Sequence, residues 1–473
     1  MRKYLLSILF TLLYYASYSQ NQLLYLPTAE SLKKRPSPVW FDEAKLGIMI
    51  TWGLYSVPAW AEPIGEPGKF DWPYFYKHNP YAEWYYNTLR ISGSSTQQYH
   101  EKTYGKNFSY YNFIKEFNKK TKKWDAYQMV EIFKNCGAKY LVLVTKHHDG
   151  FQLWPSKISS PFYQPFAMQA ERDIVGELTS ATKSKGLKMG LYYSGGLDWT
   201  FYQSPITNLW PDLFLSTPKS VAYAGYADAH YQELIHKYKP DIIWNDISYP
   251  EKGDELGLFA DYFNTVPDGL INDRWSKHNE LANFKTPEYK TSSFIEPHKW
   301  EVCRGLGYSF GFSKNETDKE MLSSDSLVRL LIDVVSKNGN LLIGIGPDAS
   351  GEISSLQLSR LSDLGKWLNI NGEAIYSTKP CQLAQMLSTD SIPLRFTQSK
   401  DATYLFILNP KKNKELKIKD LFMEKNTSVI RLDNNQLVKW QQDGEVLTLN
   451  LPIIESKMPI VLKIIPKIYF LIK

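Results

Sequence analysis

Pro240-Asp241-Ile242-Ile243-Trp244-Asn245-Asp246 reads as a buried strand that ends in a carboxylate, and Ile247-Ser248-Tyr249-Pro250 breaks it. Side chains alternate along a strand, so Trp244 and Asp246 share one face. An acid at the C-terminal end of an apolar strand is where an α/β barrel keeps its reacting groups. Taken alone, the stretch reads equally well as an Asp that caps the following loop.

The flanking sequence repeats the same plan. Upstream, residues 222–238 read as a helix, and residues 187–193 read as a strand that runs into Ser194-Gly195-Gly196-Leu197-Asp198-Trp199. Before that, Asp173 caps a helix stopped by Gly186, with Ile174, Leu178 and Ala181 on its apolar face. Residues 139–144 form a strand that delivers Lys146-His147-His148-Asp149-Gly150-Phe151. An amphipathic helix over 124–137 precedes it, with Met129, Ile132, Phe133 and Cys136 at helical spacing. The first strand covers 45–51, residues 62–78 read as a long loop, and Ala82-Glu83-Trp84-Tyr85 opens a short helix. Downstream come a strand at 270–274, a helix at 324–336, a strand at 340–345 and a helix at 356–369. Alternation of this kind predicts an α/β fold, a (β/α)8-like TIM-type barrel with its site on the C-terminal rim.

After about residue 376 the pattern changes to short apolar runs at 394–397, 404–408, 416–418, 429–432, 446–451 and 460–465. These predict an antiparallel β-sandwich. The expected organisation is a signal peptide over 1–19, a catalytic barrel over 20–374 and a β-sandwich domain over 375–473. The leader reading rests on Arg2 and Lys3, the mostly apolar run 5–15, and the small residues Ser17 and Ser19 before Gln20. It implies secretion, periplasmic or extracellular. Its apolar run is too short for a membrane span, and Lys463, Pro466 and Lys467 interrupt the apolar run near the C-terminus.

Composition narrows the chemistry. The net charge of +6 is spread along the chain without a dense basic block, which argues against nucleic acid. Cys136, Cys303 and Cys381 are too few and too far apart for a disulfide framework or a thiolate metal site. Aromatics make up 15% of the chain, and their flat faces suit the C–H faces of sugars as well as ordinary core.

The strand ends supply His147, His148, Tyr192, Asp198, Asp246 and the 274–288 region. Two carboxylates facing one pocket suit glycoside hydrolysis, one as nucleophile and one handling the proton. Asp246 is the nucleophile candidate because its strand holds it. Glu288, read as a loop residue, suits the acid/base, although the residues alone do not separate it from Glu301, Asp273 or Asp198. His147 and Asp149 match the start of a two-His-one-carboxylate iron site, but that site also needs a distal His and open coordination positions, and a two-residue spacing is common by chance. Arg274 is expected either at a sugar oxygen or in an ion pair with Asp273 or another rim acid.

Several of these stretches together resemble glycoside hydrolase family 29, the α-L-fucosidases. They are residues 52–60 (Trp-Gly-Leu-Tyr-Ser-Val-Pro-Ala-Trp), Tyr81-Ala82-Glu83-Trp84-Tyr85, Thr145 to Phe151, Lys188 to Trp199, Pro240 to Asp246, Asn272-Asp273-Arg274-Trp275 and Arg304 to Gly311, running in family order across residues 40–372. The resemblance implies a retaining, exo-acting mechanism without metal or other cofactor. It implies Asp246 as nucleophile and Glu288 as acid/base, with Glu83, Trp84, His147, His148, Tyr192, Trp244, Arg274 and Phe310 at sugar-binding positions. The implied partner is an oligo- or polysaccharide with a terminal α-L-fucose. A non-catalytic sugar-binding protein on the same fold is the contrasting class, and retention of both carboxylates argues against it.

One departure concerns specificity. Where the family reads Gly-Ile-Phe-x-His-Trp-Gly, this chain has Gly47-Ile48-Met49-Ile50-Thr51-Trp52-Gly53. Positions 49 and 51 share a strand face, so both changes point into one pocket. The family His lies near the sugar O4 and the Phe helps enclose the C6 methyl. L-Galactose is L-fucose with a hydroxyl on C6, and Thr51 beside Met49 makes a terminal α-L-galactose the alternative substrate. An apolar pocket alone rejects an added hydroxyl by only about 10²-fold, whereas a site that bonds it can reject the deoxy sugar by about 10⁴-fold or more.

Overall fold

The computed structural model describes residues 24–65, 68–161, 167–410, 415–451, 457–466 and 468–470. The leader expected over 1–19 therefore lies outside the described residues.

Seven parallel strands form one sheet: β1 (Leu46–Ile50), β2 (Tyr140–Lys146), β3 (Lys188–Ser194), β4 (Ile242–Asp246), β5 (Leu270–Ile271), β6 (Trp300–Gly305) and β7 (Gly339–Ile345). Their order is β5-β4-β3-β2-β1-β7-β6, with every strand pair parallel. The sheet curls, and the stretch 284–288 spans the gap between its edges. Asn272 bridges to Phe284 on one side, while Lys285 and Glu288 bridge to Trp300 and Cys303 on the other. Backbone bonds from Asn283 N to Ile271 O (2.9 Å), Glu301 N to Lys285 O (2.8 Å) and Cys303 N to Pro287 O (3.1 Å) hold it there. The stretch is an eighth, irregular stave, which makes the architecture (β/α)8-like.

This corrects two expectations. Glu288 is not on a free loop, because the backbone on either side of it pairs with β6. The strand Trp300–Gly305 was not anticipated, since Glu301 and Arg304 interrupt its apolar pattern. A third difference is local. The supposed loop 62–78 contains the helix Trp72–Lys77, where Asp71 accepts from Tyr74 N and a proline sits in the first turn.

Parity along the strands separates two cores. Met49, Tyr140, Val142, Val144, Tyr192, Ile242, Trp244 and Cys303 point into the barrel. Ile48, Ile50, Leu141, Leu143 and Ile243 point outward against the helices Ala126–Asn135, Ile174–Ser184, Val221–Tyr238, Glu255–Thr265, Ser324–Ser336 and Ser355–Asn371. Gly47 is required on the inner face, because a Cβ there would lie 2.3 Å from the Tyr140 ring.

The antiparallel strands begin at Lys379. A five-stranded and a three-stranded sheet face each other across Leu394, Phe396, Leu405, Ile407, Leu416, Leu447 and Leu462. In the strand Thr403–Ile407 all five residues are buried. Leu405 and Ile407 face the sandwich interior, while Tyr404 and Phe406 join the barrel's outer core. Arg395 Nε bonds Asp333 Oδ1 on the barrel helix at 2.6 Å, and Trp367 Nε1 donates to Pro459 O at 2.9 Å.

Candidate active site

A cavity of about 670 Å³ opens at the C-terminal ends of the barrel strands, within the ordinary size range of ligand sites. Its lining includes Met49, Thr51, Glu83, Trp84, His147, His148, Tyr192, Trp244, Asp246, Arg274, Glu288 and Phe310. The strands β1 to β4 end at this rim, which accounts for Met49, Thr51, the two histidines, Tyr192, Trp244 and Asp246. The 3-10 turn Ala82–Trp84 brings Glu83 and Trp84 over the opening.

The two carboxylates meet through one guanidinium. Arg274 Nη1 donates to Asp246 Oδ1 at 2.7 Å, and Nη2 contacts Glu288 Oε2 at 3.3 Å. Asp246 Oδ2 accepts from the Tyr192 hydroxyl at 2.7 Å, so both its oxygens are oriented. Burial works against the charge on Arg274, but Asp246 and Glu288 outweigh it and hold the guanidinium protonated. Arg274 pairs with these acids and not with Asp273. Asp273 Oδ1 instead accepts from Thr286 N (2.9 Å) and Oγ1 (2.7 Å). Thr286 in turn accepts from Arg274 Nε at its hydroxyl (3.0 Å) and from Nη2 at its carbonyl (3.1 Å).

The other acids have different surroundings. Glu301 is fully buried beneath the cavity floor, accepting from Trp244 Nε1 at 3.0 Å and from the Tyr140 hydroxyl at 2.5 Å. Burial pushes it up to about 7, against the pull of those two donors. Asp198 is fully buried and paired with Lys146 Nζ at 2.9 Å. Glu288 is thus the member of that group that reaches the cavity beside Asp246.

The remaining lining is suited to a sugar. Trp244 stacks on Tyr192 with ring centres 5.5 Å apart, and the Arg274 guanidinium lies 4.6 Å above the Trp244 ring. His148 Nδ1 lies 2.6 Å from Ser194 Oγ, whose one hydrogen goes to Leu197 O, also 2.6 Å away. Nδ1 must therefore carry the imidazole proton, leaving Nε2 as an acceptor. Burial holds both histidines neutral, well below the usual histidine range. His147 Nδ1 and Thr51 Oγ1 are buried and have no hydrogen-bond partner among the described residues. Glu83 Oε2 accepts from Gly311 N at 2.8 Å and Ser309 Oγ at 3.3 Å, and burial raises its carboxyl to about 7. Through Gly311 this bond ties the turn bearing Trp84 to the loop bearing Phe310. Among the described residues no group of three His, Cys, Asp or Glu is arranged to hold a metal ion.

Four contributors carry no assigned role in the sequence reading: Tyr81, Thr286, Tyr289 and Cys303. Tyr81, Thr286 and Tyr289 each lie within two residues of a named site residue, but only their contacts reveal the connection. Cys303 on β6 faces inward, separated from Met49 on β1 by β7, with its Sγ 3.9 Å from the methionine sulfur.

Known proteins share this architecture. A family model described as alpha-L-fucosidase matches residues 12–373. The alpha-L-fucosidase of Dictyostelium discoideum is 33% identical over 381 residues, covering 76% of this chain and 76% of that protein. The tissue alpha-L-fucosidase of Homo sapiens is 30% identical over 443 residues, covering 89% and 86%. A solved structure described as an alpha-L-fucosidase superposes with a TM-score of 0.88 at 41% identity, over 93% of this chain and 100% of that one. Thermotoga maritima alpha-fucosidase in complex with fucose gives 0.84 at 39% identity, over 93% and 100%.

Proposed function

The chain belongs to the α-L-fucosidase family of glycoside hydrolases, and from this premise we propose that it releases terminal α-L-fucose by double displacement with retention. The observation that carries the reading is the pair Asp246 and Glu288, bridged by Arg274 at the end of an aromatic-lined cavity. In the first step an Asp246 oxygen attacks the anomeric carbon, the glycosidic C–O bond breaks, and Glu288 gives its proton to the departing oxygen. In the second, Glu288 takes a proton from water, the water oxygen bonds the anomeric carbon, and Asp246 leaves. Tyr192 and Arg274 orient the nucleophile, while His148 Nε2 and His147 offer hydrogen-bonding capacity to sugar hydroxyls.

The test is hydrolysis of an aryl α-L-fucoside by the mature protein, with the product anomer followed by NMR. The first-formed sugar is expected to be the α anomer. Asp246→Gly is expected to lose turnover and to regain part of it with azide. Full activity in Asp246→Gly would remove the nucleophile assignment.

A second reading, α-L-galactoside hydrolysis, is favoured by one specific feature. Thr51 Oγ1 is buried in the pocket wall and has no partner among the described residues, beside the unbranched Met49. A sugar C6 hydroxyl in reach of Thr51 would satisfy it, whereas a C6 methyl would not, and in a fucoside a Thr51 hydroxyl not reached by O4 would stay unpaired at a cost of about 1–3 kcal/mol. Comparison of aryl α-L-galactoside with aryl α-L-fucoside decides between them. Faster fucoside cleavage that Thr51→His leaves unchanged would eliminate the galactoside reading. We also propose export with cleavage after Ser19, on the strength of the basic and apolar start of the chain. Protein recovered outside the cytoplasm would then begin at Gln20.

A further inference from the structure

Glu288 has two partners in the cavity, and they differ in kind. Arg274 Nη2 approaches Oε2 at 3.3 Å, a long contact from a group already engaged with Asp246 and Thr286. The Tyr81 hydroxyl donates to Oε1 at 2.9 Å. Tyr81 is held by rings on three sides. Phe75 and Phe310 meet it edge-on at 5.7 and 5.8 Å, and Tyr289 stacks at 6.4 Å with 14° between planes. Its backbone is fixed as well, because Tyr81 N donates to Asn79 Oδ1 at 2.8 Å and Tyr81 O closes the turn by accepting from Trp84 N at 3.0 Å. Burial and the neighbouring Glu288 keep the phenol well above its ordinary range, so it stays a donor at any working pH.

We propose that Tyr81 is the positioning residue for the acid/base step. Its hydroxyl occupies Oε1 of Glu288 and so leaves Oε2 as the oxygen that carries the transferable proton. Oε2 is the oxygen beside the guanidinium shared with Asp246, and therefore the one on the side of the scissile bond. The same turn presents Glu83 and Trp84 to the sugar, so the element that holds the sugar also aims the proton. This rests on the roles given above to Asp246 and Glu288.

The test is leaving-group dependence. Positioning of an acid matters for a poor leaving group that needs a proton, and little for one that departs unaided. Tyr81→Phe keeps every ring contact and removes only the hydroxyl. Its kcat/KM is expected to fall about thirtyfold or more on a fucosyl disaccharide and about threefold or less on 2,4-dinitrophenyl α-L-fucoside. Glu288→Gln is expected to show the same asymmetry, enlarged. Equal losses on the two substrates would indicate a merely structural role and overturn the inference, as would no loss on either. If Glu288→Gln shows the asymmetry and Tyr81→Phe does not, this inference alone fails. A wild-type protein inactive on both fucosides would overturn the proposed function together with it.

Discussion

Glu301 and Glu288 show how far one residue's surroundings decide its use. Both carboxyls face the barrel interior and both come from the same side of the wall. Glu301 is sealed under Trp244, where two donors hold it as a support for the ring at the cavity floor. Burial raises its carboxyl from 4.5 to about 7, and Glu83 and Glu316 are likewise raised to about 7 and about 8. A folded value above the unfolded one means the folded state holds the proton more tightly. The resulting stability is complete below about 4.5 and is lost as pH rises through about 7 to 8. These three carboxyls therefore shift the melting-temperature difference between pH 5 and pH 8 in favour of pH 5, against the buried neutral His147 and His148, which favour pH 8; differential scanning fluorimetry measures the net difference. Glu301→Gln, which cannot ionise, is expected to move that difference towards pH 8. A difference of the same size in the variant would show that Glu301 does not titrate in this window. Neither the pairing with Trp244 nor the burial is legible in Trp300-Glu301-Val302, because nothing local states which strand lies opposite.

At the scale of the element, the eighth stave is the informative case. Phe284 to Glu288 contains a proline and alternates poorly, so its sequence does not resemble a strand. It is held by partners on both sides and by one side-chain clamp. Asp273 and Arg274, adjacent at the end of β5, both grip Thr286, two residues before Glu288. Tyr289 follows with φ of 55°, a left-handed conformation that is unfavourable for a bulky residue. Its hydroxyl donates to Tyr308 O at 2.7 Å and accepts from Gly305 N at 3.1 Å, which holds that turn in place. Thr286→Ala removes the hydroxyl that links Asp273 to Arg274. The expected result is a loss of about 1–3 kcal/mol in transition-state stabilisation, roughly 5- to 150-fold in kcat/KM. Thr286→Ser is expected to retain most of the activity, and equal kinetics for Ala and Ser would remove the clamp from the account. By contrast, β1 to β4 are legible because their apolar runs end at polar or aromatic groups, and β7 because its run is closed by Gly346-Pro347.

Across the whole molecule, the C-terminal sheet is a middle layer with one face in the sandwich and the other against the barrel. Phe406 is fully buried on the barrel side. Phe406→Ala is expected to cost about 3–5 kcal/mol and to lower the urea midpoint, with kcat per folded molecule unchanged. A change in kcat without a change in midpoint would mean that the layer acts on chemistry and not on stability. The short strands of this layer announced themselves by their turns, but its second buried face did not, because burial on both faces hides the alternation. Taken by itself, the sequence determined the order of the strands β1 to β4 and β7 with the helices around them, the barrel that such alternation builds, and the family motifs that contain Asp246. These are properties of local apolar period and of short contiguous stretches. Only the tertiary structure decided that Glu288 stands in the barrel wall, that it shares a guanidinium with Asp246, and that Glu301, Asp273 and Asp198 are committed elsewhere. The physical reason is that each of those facts is a contact between separate strands. A carboxylate's role depends on which donors and charges surround it, and that is a matter of packing which no single stretch of chain encodes.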